Sequence, residues 1–321
     1  QSILKGWYSF AKDANNIHVR GYVFSHNLEK AVYGPNSKKA GQEYIRGNVT
    51  VATDDQALNV VQVNFSFVDP TWAKSGKPND TYAVLESIIN TQNTYQNVGT
   101  QAMKIRIDGN FEVNDYWSKN NNTMVSSTRL RGVFAHTMLP SDNLGDTPAT
   151  FDADMLVTKA DTREYNDGNV TFEISGFVFD FRNALIPLTL VVRDELGQDF
   201  FNSADISQSN PMFLNVDGVF TSEVIELERE NDSTEYAFGA PKVVKTKRSV
   251  RRWELLHAKN PYDFGDESVM TMDEFKSALQ ARTEKVANEE QRAKSRGGIP
   301  TVPNKPKATP QPIASDDDIE F

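Results

Sequence analysis

One pattern occurs twice in this chain and limits what it can fold into. Met103, Ile105, Ile107, Asp108, Gly109 and Phe111 recur as Met212, Leu214, Val216, Asp217, Gly218 and Phe220. In each copy apolar residues alternate with others up to Asp-Gly, and the alternation resumes beyond it. That period belongs to a strand, and a glycine inside it marks a bend or bulge where the strand turns a corner. A weaker echo sets Ile17, Val19, Gly21, Val23 and Phe24 against Phe172, Ile174, Gly176, Val178 and Phe179. Together they predict two related small barrels made by duplication. Chance recurrence is the competing explanation, since Asp-Gly between β-branched residues is common turn chemistry.

Composition removes several classes of function. The chain has 321 residues, 38% of them hydrophobic, enough for two modest cores and a tail. No apolar run approaches the roughly 20 residues that span a bilayer. Without cysteine, disulfides and thiolate zinc sites are excluded. No basic start followed by an apolar run opens the chain, so the expected location is a bacterial cytoplasm, that of a phage-infected host included. Four His, no Gly-rich phosphate loop and no His-Glu motif leave no nucleophile and base in a recognisable pattern. The expectation is a protein that is not an enzyme, with no cofactor and no metal. Asp152 with Asp154, and Asp316 to Asp318, could hold a divalent ion, but adjacent acids on a loop or tail are usually solvated.

In order, residues 1–14 are an arm carrying Trp7, Tyr8 and Phe10, and residues 15–139 form the first barrel. Its strands run from about Asn15, from Gln42 to Thr53, from Leu58 to Val68, from Ile105 to Trp117 and from Met124 to Met138. A helix near Asp80 to Asn90, with Asp80 as its cap, lies between the third and fourth. Phe65 and Phe67 share the apolar face of the third strand and are expected in the core. Five strands with one helix after the third is the order of an OB-fold barrel. Residues 140–258 are read as a second, smaller OB-like barrel with four main strands, whose helix is missing or reduced to the loop Asn202 to Asn210. The stretch Phe151 to Val157 is a strand of either barrel. Residues 259–295 hold a connecting segment and a polar helix opened by a Thr271-x-x-Glu274 capping box, with Met272, Phe275 and Leu279 as its apolar stripe. Residues 296–314, with five prolines, are an extended linker, and 315–321 an acidic tip. The fold class expected is mainly β: two OB-fold-like barrels, then a helix and a disordered acidic C-terminal tail.

Three of these features resemble the single-stranded DNA-binding (SSB) protein family, in a diverged form such as bacteriophages carry. They are the barrel order, the long hairpin from Ile105 to Arg131, and the end Asp316-Asp317-Asp318-Ile319-Glu320-Phe321, similar to an acidic tip with Ile-Pro-Phe, where Glu320 stands for Pro. The resemblance implies a protein that coats single-stranded DNA without strong sequence preference in replication, recombination and repair. It also implies recruitment of partner proteins through Asp316, Asp317, Asp318, Ile319, Glu320 and Phe321.

Such binding needs cations for phosphates and aromatic faces for bases. On the first barrel the outward positions Arg20, Tyr22, Phe24, Tyr44 and Arg46 would line the face, with Trp72, Lys104, Arg106 and Trp117 as rims. Through the Gly21/Gly176 echo, Phe177 and Phe179 would serve the second barrel. Lys242, Lys245, Lys247, Arg248, Arg251 and Arg252, a run with no acid among them, would complete that groove with Trp253. A charged, solvated edge strand is the other reading of that run. The rival functions are a β-barrel virion or assembly protein and a non-catalytic docking subunit of a recombination or primase complex.

Overall fold

A computed structural model describes residues 14–118, 122–165, 169–180, 182, 184–231, 242–264 and 269–296, with backbone alone over 223–231, 242–251 and at 296. The first barrel contains β1 (Asn15–His26), β2 (Glu29–Val32), β3 (Glu43–Ala52), β4 (Val60–Val68), β5 (Lys104–Ser118) and β6 (Thr123–Thr137). Between β4 and β5 lie α1 (Asp80–Thr91) and a single turn, α2 (Tyr95–Val98). β1 pairs antiparallel with β3 and β5, β3 with β4, β5 with β6, and β4 runs parallel to β6. These pairings close a five-stranded OB-type barrel, and β2 adds a short edge beside β3.

The same circuit recurs in β7 (Ala149–Glu164), β8 (Val170–Phe179), β9 (Leu185–Val192), β10 (Met212–Asn231) and β11 (Lys242–Ala258), with β9 parallel to β11 and β10 returning to β7. The fold is mainly β, with two OB-type barrels followed by a helix, α4 (Met272–Arg296). Three details depart from the sequence reading. The stretch holding Phe151 opens the second barrel as β7, giving it five strands. The second barrel also has its own helix, α3 (Glu195–Ser203), capped by Asp194, whose carboxylate accepts from the Gly197 amide at 2.9 Å. In α1 the cap is Asn79, which accepts from Thr81 N at 3.1 Å, and Asp80 already lies in the first turn. No described helix is long and apolar enough to cross a membrane.

The repeated Asp-Gly marks equivalent places in the two barrels. The ladder shifts register at Asp108/Gly109 against β6 and at Asp217/Gly218 against β11. A Cβ at Gly109 would stand 1.9 Å from the Arg131 carbonyl oxygen, and one at Gly218 2.1 Å from that of Glu254, so only glycine lets the backbones approach this closely. Each aspartate also meets a histidine Nδ1 at 2.8 Å, His18 for Asp108 and His257 for Asp217.

The weaker echo does not join equivalent strands. Gly21 lies on the first strand of its barrel and Gly176 on the second strand of the other, each under a carbonyl across the same seam, Ala52 and Leu156 respectively. The Asp-Gly register sets Ile17 and Phe151 opposite Gly109 and Gly218, so the counterpart of Tyr22 is Leu156, not Phe177.

The interiors follow the alternation. Ile17, Val19, Val49, Val51, Val63, Ile105 and Ile107 are fully buried, and Leu85 and Ile88 of α1 plug the barrel end. β1 also pairs with β7, Ile17 opposite Phe151, so one core crosses both barrels. At the junction Phe111, Phe151, Phe220 and Trp253 form an aromatic contact set with centroids 5.2 to 6.1 Å apart. The C-terminal segment forms a separate core on the outside of the second barrel. There fully buried Phe275 of α4 joins Leu156, Phe179, Leu185, Phe213 and Met270. The expected capping box opens α4, with Thr271 N donating to Glu274 Oε2 at 2.8 Å and Glu274 N to Thr271 Oγ1 at 3.2 Å.

Candidate nucleic-acid interface

β4 organises the surface between the barrels. Val61, Val63 and Phe65 point into the core, while Val60, Gln62, Asn64 and Ser66 point out and stay half-exposed. Simple alternation would return Phe67 to the core, but it is 59% exposed. The cause is a bulge: Gly47 of β3 pairs with Phe65 but Ile45 pairs with Val68, leaving one extra residue on β4. Phe67 takes the strain at φ 53°, a value uncommon for a bulky residue. Its ring stacks on Tyr33 at 5.8 Å and leans on Tyr44 at 4.9 Å.

Beside Phe67 a cleft of about 840 Å³ opens between the barrels, with Arg129 and Arg131 of β6, Arg182 and Lys285 of α4 among its lining. A second hollow of about 440 Å³ shares Arg129 and continues along Val60, Gln62 and Asn64, with Thr221, Arg252 and Trp253 opposite. Arg129 is held by Glu112, Nε to Oε2 at 2.9 Å. Arg131 is half-buried and has no acidic partner among the described residues. Glu112, Asp154 and Asp180 also line the cleft, so its positive charge is local.

Asp154 closes the inner end. It is 1% exposed and accepts from Ala14 N at 3.1 Å, Asn215 Nδ2 at 3.0 Å and the Tyr262 hydroxyl at 3.1 Å. Burial pushes its carboxyl above the usual range despite those donors, and burial with the nearby Asp154 carboxylate pushes the Tyr262 phenol up. Asn215 Nδ2 also donates to Asp152 at 2.8 Å, so one amide bridges the two carboxylates considered above for an ion.

Most residues expected at the interface lie elsewhere. Tyr22 is 4% and Tyr44 6% exposed. The Tyr22 hydroxyl donates to Asp55 at 2.8 Å under the Lys104 ammonium, 5.3 Å from its ring, and Tyr44 packs beneath Tyr33 and Phe67. Neither ring offers a free face to a base. Phe24 stacks on Tyr95 at 6.0 Å. Lys104 donates to the carbonyls of Pro140 and Asp142, Arg46 pairs with Glu29 at 2.6 Å, and Arg106 with Asp108 at 3.1 Å, opposite Arg20. Trp72 leans on Phe134, itself 45% exposed, and Trp117 lies under the Lys294 ammonium. Phe177 packs on Phe275, and Phe179, 8% exposed, lies edge-on to Phe213.

Of the expected set, among the described side chains, Phe179, Arg252 and Trp253 reach the walls of the cleft and hollow, and the two aromatic ones belong largely to cores. Side chains of Lys245, Lys247, Arg248 and Arg251 lie outside the described residues. Backbone register sets Lys245 opposite Glu228 and Lys247 opposite Glu226. The tip, 315–321, and the arm up to residue 13 also lie outside. Sequence reasoning misses Phe67, Arg129, Arg131, Gln62 and Asn64; the alternation of Arg129 and Arg131 about buried Leu130 is the signal that points to the arginines.

The model of the YorF family matches residues 13–292 of the chain. A comparison with curated proteins gives no match. Among solved structures, the chain is similar to a deletion mutant of the single-stranded DNA binding protein from Thermus aquaticus. The TM-score is 0.44 and the identity 13%, over 78% of this chain and 95% of that one. It is also similar to the wild-type protein from Thermus aquaticus, at a TM-score of 0.42 and 12% identity, over 78% and 93%.

Proposed function

We propose that this chain, which belongs to the YorF family, binds single-stranded DNA in the groove along β4 and acts as a binding protein without turnover. The observation that carries this reading is the cleft that Arg129 and Arg131 line together with a phenylalanine, Phe67, that a bulge holds out against its own apolar character. Guanidinium groups answer phosphates, and an exposed ring answers an unpaired base; a duplex keeps its base faces stacked and offers none. The barrels contribute unequally, because α4 and its preceding segment cover the outer face of the second one. The acidic end, Asp316 to Phe321, supports a further role in recruiting replication, recombination or repair proteins, with Phe321 entering an apolar pocket and the acids meeting a basic rim.

Titration with mixed-sequence single strands of increasing length tests the reading. Affinity should rise until the groove is filled, at about 4 to 16 nucleotides per engaged barrel. It should fall with salt by about 0.7 log units per log unit for each phosphate neutralised. No binding, or binding insensitive to salt, would sink it.

A further inference from the structure

Amides line the groove along β4: Asn110 lines the cleft, Gln62 and Asn64 line the hollow, and Asn48 stands beside Asn64 on the same outward face. Register across four strands places Asn48 of β3, Asn64 of β4, Arg131 of β6 and Asn110 of β5 in one row, and Thr50 stands opposite Gln62 in the next. All six are half-exposed, while Val49, Val63, Leu130 and Phe111 beside them are buried, so the row faces out of the barrel. Asn64 spends one donor on the Leu130 carbonyl at 3.2 Å and keeps its carbonyl oxygen. The side-chain amides of Asn48, Gln62 and Asn110 have no hydrogen-bond partner among the described residues. No aromatic ring belongs to the row; Phe67 lies three residues beyond Asn64 on β4.

Bases laid on such a row meet hydrogen-bonding groups rather than ring faces. An amide offers a donor and an acceptor side by side, the match for adenine N6 and N7, and a guanidinium offers paired donors, the match for guanine O6 and N7. We infer that the groove reads base edges and favours purines, so that binding is base-selective rather than neutral coating. The inference rests on the single-strand reading above and adds to it a ligand class.

The test compares oligomers of equal length and charge made of dA, of dT and of abasic sugar-phosphate. One matched amide contact is worth about 1–3 kcal/mol. The full-length protein should therefore prefer dA over dT by about 5- to 150-fold per contact, and bind the abasic strand most weakly. Asn48→Ala and Gln62→Ala should lower dA affinity more than dT affinity, and so narrow the preference of dA over dT. Because a variant can fail for reasons of folding, the unaltered protein is also tested with 7-deaza-dA, which removes N7 while keeping the ring face. Loss of affinity for that strand is the expected result. Equal binding of dA, 7-deaza-dA and dT, together with salt-dependent binding of mixed strands, overturns the inference and leaves the single-strand reading standing. Failure to bind any strand, mixed ones included, overturns both.

Discussion

Arg282 on α4 forks onto Asp115 on β5, Nη2 to Oδ1 at 3.0 Å and Nη1 to Oδ2 at 3.4 Å, with side chains only 11% and 7% exposed. Ser126 of β6 joins them, its hydroxyl donating to Asp115 at 2.6 Å and accepting from Arg282 at 3.1 Å. Phe275, seven residues earlier on α4, is buried on the second barrel, so one helix fastens each barrel to the other.

Removing Arg282 leaves a nearly sealed carboxylate with less compensation. Arg282→Ala should cost about 1.5–3 kcal/mol at neutral pH, the range for hydrogen bonds to charged groups, read by chemical denaturation. Burial pushes the Asp115 carboxyl up, but Ser126, Arg282 and Lys285 together outweigh it and hold it below the usual range. A depressed folded value means the stabilisation is complete above the unfolded carboxylate value, about 3.9, and is lost as pH falls through the folded one. The gap between wild type and Arg282→Ala should therefore shrink in acid. A gap independent of pH would show that packing of the arginine stem, not the ion pair, holds the helix.

Phe67 combines exposure with a strained backbone, and the two predict opposite responses. Phe67→Ala should weaken single-strand binding by about 1–3 kcal/mol, the worth of one stacked base. Phe67→Gly should weaken binding equally while relieving the positive φ, worth about 1–3 kcal/mol, so its melting temperature should not fall even though Tyr33 and Tyr44 no longer have a ring to pack on. Unchanged affinity in both variants would reduce Phe67 to a lid over Tyr44.

Arg131 and the basic run of β11 should differ in salt dependence. Arg131, without an acidic partner among the described residues, should neutralise about one phosphate, so Arg131→Ala should reduce the salt slope by about 0.7. Lys245 and Lys247 stand across the ladder from Glu228 and Glu226. Substituting either lysine by Ala should leave the slope as it was. If the lysine variants lower the slope and Arg131→Ala does not, phosphate contact belongs to the β10–β11 hairpin.

Deleting Ser315 to Phe321 should leave single-strand affinity equal or slightly higher, most visibly at low salt, since the four acids Asp316, Asp317, Asp318 and Glu320 are removed. Co-purification with replication or recombination proteins should be lost, and Phe321→Ala alone should reproduce that loss. Loss of DNA binding with partners retained would reverse the roles assigned to the chain's end.

Strand positions are legible in this sequence because a barrel strand needs one apolar side, and Val49, Val51, Val61 and Val63 supply it at every second residue. The Asp-Gly corners are legible because two backbones meet there at a distance only glycine permits. The site is less so. Facing out of a barrel does not make a ring accessible: Tyr22 is covered by Leu144 and Tyr95, and Tyr44 by Tyr33 and Phe67. One inserted residue in β4 moves Phe67 from core to surface, a parity change that alternation alone cannot reveal. The covering of the second barrel by Phe275 depends on where a distant helix docks, which local periodicity does not encode.

That covering supplies the sharpest contrast between the barrels. The outer positions of β7 and β10 that correspond to Tyr22 and Lys104 of the first barrel are Leu156 and Phe213, both buried under the C-terminal segment, and Phe177 faces Phe275 with centroids 6.1 Å apart. A base could stack on Phe177 only after α4 had left. Phe177→Ala should therefore behave as a packing change: it opens space beside a fully buried ring, with a cost of about 3–5 kcal/mol as the upper range for deleting a core phenylalanine, less here because Phe177 is only partly buried. Affinity for single strands, measured well below the variant's melting temperature, should stay within about twofold of wild type. Phe275→Ala should give the same pattern from the other side of the contact. A loss of affinity in Phe177→Ala together with unchanged stability would mean that the second barrel's face takes DNA and that α4 is displaced when it does.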